Sequence, residues 1–236
     1  MPITLTHASY ATSGTPILHD LTLRLTEPRI GILGQNGSGK TTLLRLMAGL
    51  IAPTTGTVRV GETDPARDRK AALTLIGILF QNPDHQILFP TVEEELTFGL
   101  TQQNHPNPAA AVAQLLATEN RTHWAKAATH TLSQGQRHYL CLLAILLMNP
   151  QTLLLDEPFA GLDLPTQTRL RRRLNALPQQ IITITHDPDA VTNADRILWL
   201  DQGRLRADGP PATVLPMFIA EMVRLGASDA DTGLPC

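Results

Sequence analysis

The sequence predicts an α/β fold: a largely parallel sheet covered by helices, with an antiparallel β part at the N-terminus and an inserted helical subdomain. Three observations lead there. Short apolar runs alternate with stretches of helical spacing, the pattern of strand–helix–strand units. A glycine-rich loop over residues 34–41 sits between one such run and one such stretch. From residue 82 the strand signals fade, and Ala, Gln, Asn and Pro become frequent.

Residues 5–10 and 21–25 read as strands around a turn at Ser13-Gly14-Thr15-Pro16. Arg29–Leu33 is a short apolar run, read as a buried strand. Leu43, Leu44, Met47 and Leu50 then follow helical spacing, and Gly49 is a stop signal. Residues 75–80 read as another buried strand. In the helical insertion, 92–100 and 109–117 look helical, and an apolar helix covers 137–148. Leu153-Leu154-Leu155 returns to strand. A helix follows with Leu170, Leu174 and Leu177 facing inward, and Arg169, Arg171, Arg172 and Arg173 as its solvated face. Residues 181–185 and 196–200 are further strands. Asp201-Gln202-Gly203-Arg204 reads as a hairpin turn, and 217–225 as a last short helix. The expected organisation is one domain over 1–226: core segments 1–81 and 150–226, helical subdomain 82–149, then a flexible tail over 227–236.

At 42% hydrophobic and 17% charged, the 236 residues supply a sizeable core, which excludes wholesale disorder. Nineteen Lys and Arg against 21 Asp and Glu leave a net charge of −2, without the basic footprint of a nucleic-acid binder. Two cysteines, Cys141 and Cys236, exclude a disulfide framework and a Cys-rich zinc site, and a reducing compartment fits. The N-terminus lacks a positive leader followed by a long apolar stretch, so no export signal is expected. The longest apolar run, 139–148, falls short of the ~20 residues of a membrane span. Any work at a membrane needs another chain to cross it.

Gly34-Gln35-Asn36-Gly37-Ser38-Gly39-Lys40-Thr41 fits the phosphate-loop pattern. Glycines let successive N–H groups converge on phosphate oxygens without a side chain in the way. The helix that starts there adds its positive dipole end. Lys40 reaches the β- and γ-phosphates, and the Thr41 hydroxyl ligates Mg²⁺. Each hydrogen bond to a charged phosphate contributes about 1.5–3 kcal/mol. The loop alone leaves a small-molecule kinase, a GTPase and a motor open.

Asp156-Glu157 ends the leucine strand with two carboxylates. Adjacent strand residues point to opposite faces, so the two can hold different jobs. Asp156 suits the hydrated Mg²⁺, and Glu157 suits orienting or deprotonating an attacking water. With water as nucleophile the reaction is hydrolysis. Ser133 and Gln136 have capping-box spacing, which alone needs no function. A capped helix start with a glycine behind the serine is also a phosphate site.

Leu132-Ser133-Gln134-Gly135-Gln136 resembles the signature motif of ABC-type ATPases, and the likeness extends from Leu5 to about Val214. The resemblance implies an ABC-type P-loop NTPase core that binds ATP with Mg²⁺. Tyr10 matches the adenine-stacking aromatic, and residues 34–42, through Thr42, the first phosphate motif. Gln81 matches the glutamine joining the metal site to the helical insertion, and Asp156 with Glu157 the second acidic motif. Ala160-Gly161-Leu162-Asp163 resembles the dimer-contact loop, and His186 the histidine on the γ-phosphate. Gln134 departs from the commonest signature, which has glycine there; the change matters if that position needs φ > 0. In that family the signature of one subunit closes over nucleotide held by the other, in a homodimer or a heterodimer with a related ATPase.

Gln81-Asn82-Pro83-Asp84-His85-Gln86, with Pro90-Thr91-Val92-Glu93-Glu94-Glu95-Leu96 and Phe98-Gly99, resembles a segment of the ATPases of energy-coupling-factor importers. His85 stands where that family often has aspartate. The resemblance implies an ATPase at the cytoplasmic face of the membrane, docked on a transmembrane coupling protein that works with a substrate-binding membrane protein. The solute would be a vitamin, biotin first, or cobalt or nickel. The alternative is a soluble ABC-type ATPase acting as an assembly factor, for example in iron–sulfur cluster building.

Overall fold

Residues 13 and 14 close the first hairpin. The computed structural model describes residues 1–227, so the tail expected over 227–236 lies, but for Ala227, outside the described residues, as does Cys236. Strands β1 (Ile3–Thr12) and β2 (Thr15–Leu25) pair antiparallel down to Thr12 opposite Thr15. Ser13 and Gly14 both take positive φ, 48° and 80°, the conformation that a tight turn between twisted strands requires. β4 (Thr55–Val60) pairs with the other edge of β1. The sequence reading missed β4, because only Val58 and Val60 are buried and the rest of the strand reads as polar loop.

The second sheet follows the order β5-β6-β7-β3-β8-β9. Its strands are β3 (Arg29–Leu33), β5 (Ile76–Leu79), β6 (Thr152–Asp156), β7 (Gln180–Thr185), β8 (Arg196–Asp201) and β9 (Arg204–Gly209). All neighbours pair in parallel except β8 and β9, which are joined through Gln202 and Gly203 as the sequence reading expected. Strands of a sheet covered on both faces read as continuous apolar runs. In β6, Leu154 packs into the cluster holding Ile182, Ile184 and α1 (Lys40–Met47). Leu153 and Leu155 turn to the other face, against Leu170 and Leu174 of α6 (Leu164–Asn175).

α3 (Val92–Gln102), α4 (Pro108–Thr118) and α5 (Gln134–Leu147) share a cluster of Leu96, Leu100, Leu116, Leu140 and Leu143. The other side of α5 sends Cys141, Leu142 and Ile145 to the sheet. α5 is therefore lined on both sides, which fixes its direction. It begins at Gln134, three residues before the expected 137, so the signature residues form its first turn.

Two more differences from expectation have plain causes. α2 (Arg69–Leu75) escaped notice because it buries only Ala72. α7 (Pro211–Gly226) starts six residues before the expected 217, with Pro216 inside the helix and Val214 and Phe218 buried beneath it. The arginines of α6 are also not all solvated. Arg173 pairs with Glu119 at 2.7 Å, and the Arg171 guanidinium lies 4.1 Å over the Phe159 ring. Long cationic side chains bury their stems and use their heads locally.

Candidate functional site

The loop between β3 and α1 is shaped by close approach and handedness. A Cβ on Gly34 would lie 2.4 Å from both the Leu200 carbonyl oxygen and Ser38 Oγ, so only glycine fits. Gly39 takes φ 100° as the residue that starts α1, and no side chain caps the helix there. Ser38 N–H donates to Gln35 O at 3.2 Å, and Gly203 N–H donates to Ser38 O at 3.0 Å. The hairpin β8–β9 thus forms the loop's floor. Gln35, Asn36 and Gly37 are exposed, whereas Ser38 and Lys40 are buried.

Lys40 Nζ donates to Gly34 O at 2.7 Å and Gln35 O at 2.8 Å. Burial holds its ammonium below the usual lysine range, against the pull of Glu157 and Asp156. Ser38 Oγ is buried without a hydrogen-bond partner among the described residues. The loop therefore combines an orphan hydroxyl, uncapped helix donors and a lysine, a donor set suited to phosphate oxygens.

The acidic residues meet this loop because parallel register aligns the strand ends. Leu33 of β3 pairs with Thr185 of β7, and Asp156 of β6 with Ile184. Asp156 shares the parity of Leu154 and so points to the α1 side. There it accepts from Thr41 Oγ1 at 3.4 Å, while Thr42 is half-buried beside it in the chain. Burial first, and Glu157 second, push the Asp156 carboxyl above its ordinary range.

Glu157 leaves the strand with φ 47°, a left-handed conformation uncommon outside glycine. Its Oε1 accepts from His186 N–H at 2.9 Å and from His186 Nδ1 at 2.7 Å. Its Oε2 accepts from Thr185 Oγ1 at 2.8 Å. A carboxylate can only accept, so the bond sets a proton on Nδ1 and leaves Nε2 facing outward. Thr185 was missed by the sequence reading; its one signal was its place beside His186 at a strand end.

The other expected site residues lie further out. Tyr10 sits in β1 and packs partly buried against the N-terminal core cluster. Gln81 is exposed and lines a cleft with Asp84, Gln134, Arg137 and Gly161. Ser133 and Gln136 form a reciprocal capping box: Gln136 Oε1 accepts from Ser133 N–H at 2.8 Å, and Ser133 Oγ from Gln136 N–H at 3.3 Å. Gly135 must be small here, since a Cβ would come within 2.8 Å of Thr166 Cγ2. Gln134 is the first helical residue and is not among those with positive φ, so its backbone does not call for glycine.

The donor set also fits Mg²⁺. Thr41 and Asp156 offer hard oxygens, and a cation would offset the cost of the buried Asp156 charge. No cluster of three or more His, Cys, Asp or Glu arranged to hold a metal occurs among the described residues. Mg²⁺ needs none, since it takes one or two protein groups and completes its shell with phosphate and water.

Comparison with known proteins agrees with this geometry. Residues 18–160, more than half of the chain, match the family model described as ABC transporter. The biotin transport ATP-binding protein BioM of Rhodobacter capsulatus is 51% identical over 97% of this chain and 98% of its own length. The energy-coupling factor transporter ATP-binding protein EcfA1 of Mycoplasma pneumoniae is 31% identical, over 87% of this chain and 77% of its own. The solved structure of cbiO1 from Clostridium perfringens, part of the ABC transporter complex cbiONQ, superposes with a TM-score of 0.78 at 29% identity, covering 94% of each chain. A phosphate loop followed by a paired acidic strand end, in a chain that aligns with these proteins almost end to end, has one reading: the chain belongs to the ABC transporter family, as one of its ATP-binding, ATP-hydrolysing members.

Proposed function

We propose that this chain powers import of a micronutrient, biotin before cobalt or nickel, through a separate transmembrane complex of the energy-coupling-factor kind. The observation that carries the solute is the 51% identity to a biotin transport ATP-binding protein across nearly the full length of both chains. The EcfA1 and cbiO1 likenesses support the transporter class. The relatives described above bear transport names, and the assembly-factor reading gains nothing from them. Among the described residues no helix is long and apolar enough to cross a membrane. The chain would therefore sit peripherally at the cytoplasmic face, on a coupling protein that works with a substrate-binding protein.

In this reading, the N–H groups of 34–42, with Lys40, cradle the phosphates, and Tyr10 stacks on adenine. Thr41, Asp156 and Gln81 hold the Mg²⁺, which supplies charge neutralisation at the phosphates. Glu157 takes a proton from the attacking water while Thr185 and His186 hold its carboxylate in place, and the outward Nε2 of His186 faces the γ-phosphate. Ser133, Gly135 and Gln136 cover the nucleotide of a second ATPase, identical or related. A two-fold pair makes both contacts equivalent. Closure would draw on ATP binding, and hydrolysis would release it.

The test is uptake of labelled biotin and labelled cobalt in cells whose copy carries Lys40→Ala. Biotin uptake is expected to fall to background with cobalt uptake unchanged. Loss of cobalt uptake alone would overturn the solute, and normal uptake of both would overturn the transport role.

A further inference from the structure

The segment after Gln81 is fastened at two ends. At one, Gln86 folds back on β5: its Nε2 donates to Ile78 O at 3.1 Å, and its Oε1 accepts from Phe80 N–H at 3.2 Å. At the other, the short 3-10 turn Pro83–His85 lies on α5. Pro83 is buried there, with its carbonyl 3.9 Å from Cys141 Sγ. Asp84 Oδ1 lies 2.8 Å from Arg137 Nε, an ion pair in which the Nε–H is not aligned to donate a hydrogen bond. Residues 137 and 141 are one helical turn apart, so both contacts fall on one face of α5.

Arg137 has a second grip. Its Nη1 donates to Leu132 O at 2.7 Å, the carbonyl just before Ser133. A single guanidinium thus ties the segment after Gln81 to the backbone that presents Ser133. Gln134 borders the same junction, with its Nε2 3.1 Å from where a Cβ on Gly161 would stand. Arginine suits this post because its rigid guanidinium donates to the Leu132 carbonyl while keeping its delocalised charge beside Asp84.

We infer that Arg137, gripping Asp84, is a positioning residue for the signature turn: where segment 81–86 sits decides how Ser133 and Gly135 are presented. The inference rests on the proposed role of the signature in ATP turnover. The Asp84 side chain is 58% exposed, so the ion pair adds little to stability. Its effect belongs to geometry, and stability and turnover should separate.

The experiment compares the full chain with Asp84→Asn, Arg137→Gln, the double variant and Arg137→Lys. Steady-state ATPase rate, affinity for a fluorescent ATP analogue and thermal melting are measured for each. Each single change is expected to lower kcat about 3- to 10-fold, the lower part of the range of couplings between neighbouring residues. Analogue affinity should hold, and Tm should move by no more than ~2 °C. The double variant should be no slower than the slower single, because both remove one link. Arg137→Lys should fall between wild type and Arg137→Gln. Losses that multiply in the double variant, or an unchanged kcat in Asp84→Asn, would overturn the inference. Glu157→Gln serves as the control for the underlying reading: if it stays active the site assignment fails, and if it is inactive while the Asp84 and Arg137 variants are normal, only the link fails.

Discussion

Two helices of this protein begin at sites we propose for phosphate, and their first turns are built in opposite ways. α1 starts at a left-handed Gly39 with no side-chain cap. α5 starts at Ser133 with both arms of a capping box made. The first leaves donors for an incoming anion and buries its lysine and serine beside them. The second satisfies two of its own donors, the N–H groups of Ser133 and Gln136, and exposes both residues. An uncapped helix start is a standing demand for a ligand, whereas a capped one is stable alone and joins a ligand only by sharing. The difference suits a primary cradle at α1 and a secondary lid at α5.

Substitutions at the two ends test that division. The largest effect is expected at the sheet end beside α1. Glu157→Gln should keep ATP affinity and slow turnover roughly 10²- to 10⁴-fold, the usual share of a general base. Measured as phosphate release at saturating ATP, a near-normal rate would remove Glu157 from that role. At the α5 end, Ser133→Arg should abolish ATP-dependent dimerisation, followed by light scattering, while analogue binding to the monomer persists. Loss of all nucleotide affinity in that variant would mean that the signature acts within its own chain, and the contrast between the helix starts would collapse.

A smaller effect concerns stability beneath the lid. His138, one turn into α5, is buried, and burial lowers its pKa to about 4. Between pH ~6.5 and ~4 the unfolded chain takes up a proton that the native imidazole refuses, so stability falls as pH falls through that window. The expected loss is of the order of a few kcal/mol across the window. Denaturant midpoints should therefore drop less between pH 7 and 4.5 in His138→Leu than in the wild type. Equal slopes would place the acid sensitivity elsewhere.

The parts legible in the sequence were those written locally. The phosphate loop needs glycines at fixed spacing between a strand and a helix, and eight neighbouring residues carry that information. The β6 leucines announce themselves as a continuous apolar run, and the α6 stripe by its helical period. What escaped was set by partners distant in the chain. β4 has half a pattern because it borders β1 at a sheet edge, and α2 has almost no buried face. The union of Glu157 with Thr185 and His186 exists only because β6 and β7 run in register, 28 residues apart. Gln134 could not be judged from spacing either: whether its position demands glycine depends on a backbone angle, and α5 turned out to begin there.

The floor of the phosphate loop carries a consequence for the architecture as a whole. The family match ends at residue 160, yet Gly34 is pressed against Leu200 and Ser38 is held by Gly203. The cradle rests on a foundation laid by the far end of the polypeptide. A shortened version stopping after His186 would retain every nucleotide motif and still lose its footing, so trimming the last 50 residues is a poor way to obtain a minimal ATPase from this chain.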